Sequence, residues 1–181
     1  MKCTFKKNFS RLICLLSLPT FIYAAPVPPD PIDSYKSEIT EEYQLDCLLT
    51  QYSIGPNKDH PEVQRDGLAL AKYYAEQNWE SGIEFLVRAY DVGLFGLNNS
   101  DPSVQAEGLS LAKHYADKMS DYATYYLLLA YRVGGFGLNP NDPEVQQEGR
   151  RLAQEYAEKG SRHAQVLFSG TYRYSLDEVA N

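Results

Sequence analysis

From about Ser37 onward, apolar and small residues recur at steps of three, four and one, the spacing of one helix face. The clearest run is Val63, Gly67, Leu70, Ala71, Tyr74 and Ala75. It returns as Val104, Gly108, Leu111, Ala112, Tyr115 and Ala116, and again as Val145, Gly149, Leu152, Ala153, Tyr156 and Ala157. A second, more aromatic pattern lies between these runs. Gly82, Phe85, Leu86, Ala89 and Tyr90 recur as Ala123, Tyr126, Leu127, Ala130 and Tyr131, then as Ala164, Leu167, Phe168, Thr171 and Tyr172. Both patterns repeat every 41 residues, as Pro61, Pro102 and Pro143 show. The aromatic pattern defines a helix A and the other a helix B. A fixed period of this length predicts an all-α chain, an α-solenoid of antiparallel helix pairs with about three and a half repeats. Seven main helices are expected, the last an unpaired fourth helix A.

The residues between the runs punctuate them. Pro61, Pro102 and Pro143 suit a first helical turn, where the missing N–H costs nothing. Asp101 and Asp142 precede two of them as N-caps, while His60 makes a weaker cap for the first. Gly67, Gly108 and Gly149 each cost roughly 1 kcal/mol against alanine in mid-helix. Their shared register points to close approach by a neighbouring helix, with ligand contact as the alternative. Gly93 and Gly134 read as left-handed caps ending helix A. The loop Gly93-Leu94-Phe95-Gly96-Leu97-Asn98 returns as Gly134-Gly135-Phe136-Gly137-Leu138-Asn139. No lysine follows at phosphate-loop spacing, and Asp101 and Asp142 oppose an anion. The loop therefore reads as a connector with Phe95 and Phe136 tucked between helices. The first helix A, around Tyr43 to Tyr52, is the most degenerate copy, and its connection to helix B is three residues shorter.

The chain has 181 residues, and its start stands apart from the repeats. Lys2, Lys6, Lys7 and Arg11 precede a mostly apolar, uncharged run from Leu12 to Tyr23, then Ala24 and Ala25. This is the grammar of a secretory signal peptide over residues 1–24, cleaved after Ala24. A membrane anchor is the alternative, but the run is shorter than the ~20 residues a spanning helix needs. Residues 25–36 form a Pro-rich flexible lead-in, 37–176 the repeat domain and 177–181 a C-terminal tail. The expected location is periplasmic or secreted, with no stable membrane span after cleavage. Residues 1–24 hold four of the 17 basic residues and none of the 24 acidic ones, leaving a formal net charge of −11. That charge repels phosphate backbones and argues against nucleic acid as a partner. Of Cys3, Cys14 and Cys47 only the last remains after cleavage, so no intramolecular disulfide is available.

Tyr131-x-x-Gly134-x-x-Gly137-Leu138, then Asp142, then Gly149-x-x-Leu152-x-x-x-Tyr156-Ala157-x-x-Gly160 resembles the Sel-1-like repeat, a variant of the tetratricopeptide helix-turn-helix repeat. His163-Ala164-x-x-Leu167 resembles the opening of another unit. The resemblance spans roughly Tyr43 to Tyr174. The chain departs from the family in having glycine at the usual helix-B alanine and leucine (Leu70, Leu111, Leu152) where tryptophan is frequent. Its glycine loop is also one residue longer than the common form. The resemblance implies a right-handed superhelix whose helix-A face is concave and binds protein partners. Exported bacterial members include host-interaction proteins and immunity proteins that neutralise a toxin. Some cysteine-rich exported members are linked to β-lactams through disulfide-tied repeats, which Cys47 alone cannot reproduce.

Positions that vary between copies on one face are free for a task other than packing. Glu84 corresponds to Tyr125 and Val166, Arg88 to Leu129 and Gly170, and Asp91 to Arg132 and Arg173. The steps of four and three place Glu84, Arg88 and Asp91 on one stripe. The candidate partner-binding residues are therefore Glu84, Arg88, Asp91, Tyr125, Leu129, Arg132, Val166 and Arg173; a neutral solvated face is the alternative. Tyr122, Tyr125 and Tyr126 are denser than packing requires, which favours a binding patch near the third helix A. His60, His114 and His163 do not group as metal ligands, and Cys47 lies among leucines as a small core residue. No catalytic, cofactor or metal set is legible. The expectation is a non-enzymatic protein-interaction module, with an inhibitor of a secreted toxin as its sharper form. The competing class is an envelope enzyme acting on cell-wall material or β-lactams.

Overall fold

The computed structural model describes residues 39–54 and 58–168. The expected leader, lead-in, Tyr172 and tail lie outside them. Among the described residues there are seven α-helices and no strand. Helices α1 (Glu42–Ser53), α3 (Glu80–Val92), α5 (Asp121–Leu129) and α7 (Arg162–Phe168) carry the aromatic pattern. Helices α2 (Pro61–Glu76), α4 (Pro102–Asp117) and α6 (Pro143–Glu158) carry the other, each 16 residues long with proline in the first turn. The carboxylates of Asp101 and Asp142 accept the backbone N–H of Ser103 and Glu144 at 2.8 Å. His60 makes no such capping bond.

Each helix B turns into the next helix A through three residues. Asn78, Met119 and Gly160 hold the same register in these turns, at φ 59°, 68° and 97°. The following N–H reaches back to Tyr74, Tyr115 or Tyr156, so the last carbonyls of the helix are satisfied. Helix α2 packs on α3, α4 on α5 and α6 on α7. The A-type helices also pack on one another, α1 on α3, α3 on α5 and α5 on α7. They are consequently buried over a wider arc than the repeated pattern predicts: Ile83 and Val87 of α3 are buried beside Phe85, Leu86 and Tyr90. Cys47 is half-buried, at the edge of the core rather than in it.

The mid-helix glycines sit where two neighbours converge. A Cβ on Gly67 would lie 2.9 Å from Tyr52 Cβ and 2.7 Å from the Phe95 ring. On Gly108 it would lie 2.5 Å from Tyr90 Cβ and 2.7 Å from the Phe136 ring. The close approach is therefore made by a tyrosine of the preceding helix A together with a phenylalanine from the loop beyond the next one. Phe95 and Phe136 are buried, at φ 54° and 47°. Loop geometry in the left-handed region is what turns each ring back over the glycine.

The two caps of helix A differ. Gly93 closes α3 in the left-handed conformation, as expected. Helix α5 instead runs on into a π turn, Ala130–Gly134, with the Gly135 N–H donating to Ala130 O at 3.2 Å. Gly134 keeps a positive φ of 89°, but Gly135 takes the cap in an extended conformation. Gly135 replaces Leu94, and a Cβ there would stand 2.6 Å from Asp91 Oδ1. The bare backbone admits that carboxylate.

The repeated glutamine is a loop staple. Gln105 and Gln146 side-chain amides donate to Asn99 O and Pro140 O, both at 2.9 Å. With the shorter first connection, Gln64 donates to Tyr52 O instead, at 2.6 Å.

Candidate functional site

The side-by-side A-type helices carry the candidate residues. Tyr52 and Tyr90 both lie beneath the glycine of the helix B that follows them. They are equivalent, so the first helix A is offset from the second by 38 residues rather than 41. Three rows then cross the helices: Asp46, Glu84, Tyr125 and Val166; Thr50, Arg88 and Leu129; and Tyr43, Ser81, Tyr122 and His163.

The first turns of these helices are clasped together. Glu42 Oε1 accepts the Glu80 N–H at 3.3 Å, and the Ser81 hydroxyl donates to Glu42 O at 3.3 Å. One step on, Glu80 Oε2 accepts the Ser120 hydroxyl at 2.9 Å and the Tyr122 N–H at 3.5 Å. A carboxylate at a helix N-terminus is favoured by the exposed N–H groups and the helix dipole. The clasp brings Tyr122 over the acidic positions of α1 and α3.

Glu84 is at the centre. Its carboxylate pairs with the Arg88 guanidinium at 3.3 Å, one helical turn away, and accepts a hydrogen bond from the Tyr122 hydroxyl. Burial nonetheless pushes its pKa above the usual glutamate range, and the charge of Asp46 adds to the push. The Tyr122 phenol is raised chiefly by the charge of Glu84, then by burial, Asp46, Glu80 and Glu42. Four carboxylates from two helices thus surround one tyrosine, and Arg88 is the cation facing Glu84.

The other candidates are distributed differently. Asp91 leaves the stripe: its carboxylate accepts the Phe136 N–H, and burial raises its pKa. It sits against Gly135, in the seam between helix pairs, because no side chain occupies that position. Tyr125 is exposed, its ring edge-on to Tyr126 at 5.2 Å and tilted against His163 at 5.4 Å. Leu129 and Val166 are half-buried, and Arg132 projects from the π turn. Arg173 lies outside the described residues. The structure brings Glu84, Arg88 and Tyr125 onto one face and draws Asp91 away from it.

Asp46 was missed by sequence reasoning because a uniform 41-residue register does not align α1. Matching Tyr52 with Tyr90 would have placed it beside Glu84. No group of three or more His, Cys, Asp or Glu side chains suited to a metal ion occurs among the described residues. No described helix is long and apolar enough to cross a membrane. Comparison with protein-family models, curated proteins and solved structures finds no match.

Proposed function

We propose that the chain is a non-enzymatic protein-interaction module of the Sel-1-like type, an α-solenoid that binds a protein partner across its helix-A face. The observation that carries this reading is the exposure of aromatic side chains on that face. Tyr43, Tyr122 and Tyr125 are 58%, 42% and 38% exposed. Aromatic rings that the core does not need are the usual anchors of protein interfaces. The A-type helices pack on one another while each helix B packs chiefly on its flanking A-type helices. That pattern supports a curved array with the A-type helices on the inner side. With residues 1–24 read as an export signal, the partner is met in the periplasm or outside the cell. An inhibitor of a secreted toxic enzyme is the specific form that the family resemblance favours.

The test is affinity capture by residues 25–181 from the source cell's own envelope and medium, read by mass spectrometry. A partner retained by the wild type and by Lys113→Glu/Arg150→Glu, on helix B, but lost with Arg132→Glu/Arg173→Glu supports the reading. Equal loss in both variants, or sustained nitrocefin hydrolysis by the purified protein, overturns it.

A further inference from the structure

The helix-A face is not uniform in charge. The first two A-type helices, α1 and α3, present Glu42, Asp46, Glu80, Glu84 and Asp91 against one base, Arg88. In α5 and its π turn, Asp121 is balanced by Arg132, and α7 carries Arg162 with no acid. The sign therefore changes along the face, with exposed tyrosines at the change.

Asp91 is engaged with the Phe136 N–H, which leaves Glu42, Asp46, Glu80 and Glu84 around Tyr122. The Tyr122 ring is held by its hydroxyl on Glu84 and its N–H on Glu80, yet remains 42% exposed. A fixed, exposed aromatic ring ringed by carboxylates is chemically specific. A guanidinium can stack on the ring while its N–H fork meets a carboxylate, using both properties at once. An ammonium offers the charge without the planar fork. An acidic or phosphorylated ligand would meet like charge.

We propose that the α1/α3 end of the helix-A face binds an arginine-bearing polypeptide segment, with Tyr122 as the seat for the guanidinium. The segment is a stretch of the protein partner, so this inference rests on the function proposed above. The change of sign along the face orients it: the arginine lies toward α1, and the rest of the segment runs past Tyr125 toward Arg162. Asp46 and Glu84 supply the charge, and the Glu84–Arg88 pair keeps Glu84 from being an isolated buried charge in the unbound protein.

Fluorescence anisotropy with labelled nine-residue peptides tests this. The probe peptide carries one arginine and one leucine in a Gly-Ser background; two others carry glutamate or lysine in place of the arginine. The expected order of affinity is arginine, then lysine, then glutamate, with at least about tenfold between the first and the last. Asp46→Asn/Glu84→Gln is expected to weaken the arginine peptide about tenfold, a loss of about 1.4 kcal/mol. Tyr122→Ala, at a position too exposed to endanger folding, is expected to weaken it comparably. Circular dichroism checks the double variant; if it does not fold, Tyr122→Ala decides. Charge-blind binding, or unchanged affinity in the folded variants, overturns the proposal. A partner captured through Arg132 and Arg173 but indifferent to Asp46, Glu84 and Tyr122 overturns this inference alone. Capture of no partner overturns both.

Discussion

Gly108 and Gly149 occupy the same register in α4 and α6, yet they do not have the same surroundings. At Gly108 a Cβ meets Tyr90 Cβ at 2.5 Å and the Phe136 ring; at Gly149, among the described residues, only Tyr131 Cβ, at 2.8 Å, is closer than 3.5 Å. Alanine gains about 1 kcal/mol of helix propensity at either site, while overpacking a filled contact costs about 1–3 kcal/mol. Gly108→Ala is therefore expected to lower the urea midpoint, and Gly149→Ala to leave it near the wild-type value. Equal effects would show that the loop phenylalanine is not the deciding contact. A second residue-scale expectation concerns Glu84, whose pKa is raised in the folded protein by burial. The folded state then binds its proton more readily than the unfolded chain, so stability is lost as pH rises through the glutamate range. The advantage of Glu84→Gln over wild type should be greater at pH 7 than at pH 4 in urea titrations. A constant difference across that range would exclude burial as the dominant influence on Glu84.

Between helix B and helix A the chain makes the same left-handed turn three times, with Asn78, Met119 and Gly160 at its tip. A left-handed conformation costs an ordinary L-residue roughly 1–2 kcal/mol, and asparagine tolerates it better than methionine. Met119 is 41% exposed, so its side chain gives back little in packing. Met119→Gly is expected to raise Tm by about 2–4 °C, after allowing for the entropy glycine loses on folding. An unchanged or lower Tm would mean that the methionine side chain packs more than its exposure implies. Helices α2, α4 and α6 were legible in the sequence because proline and a clean apolar stripe coincide at each start, with a capping aspartate before α4 and α6. The wider burial of the A-type helices was not, since contact between A-type helices adds a second buried face that leaves no period of its own. Nor was the π turn of α5. The Asp91 carboxylate stands beside Gly135 at the end of that turn, a tertiary contact that no helical period announces. The candidate stripe was half legible: Glu84 and Tyr125 share a row, whereas Asp46 required the correct offset for α1 and Asp91 required the seam.

At the largest scale, each described helix packs mainly on its near neighbours in sequence. Stability in such an arrangement is close to a sum of local units and their interfaces. A lesion at one end should then open that end alone. Ala164 of α7 is fully buried, and Ala164→Asp places an unpaired carboxylate against α5 and α6. Amide exchange is expected to lose protection in α5, α6 and α7 while α1 to α3 keep theirs; uniform loss would indicate one cooperative body. The loop phenylalanines add a sense of direction to this picture. Phe95 lies over Gly67 and Phe136 over Gly108, so α2 and α4 are each covered by a ring that comes from later in the chain. By the 41-residue period the next position in this series is Asp177, which lies outside the described residues. Pulled from its C-terminal side, the protein lifts each ring before the helix beneath it. Pulled from its N-terminal side, it must draw a helix out from under a ring still in place. A threading unfoldase or an optical trap would meet different resistance at the two ends, as a row of roof tiles yields more readily from the ridge than from the eaves.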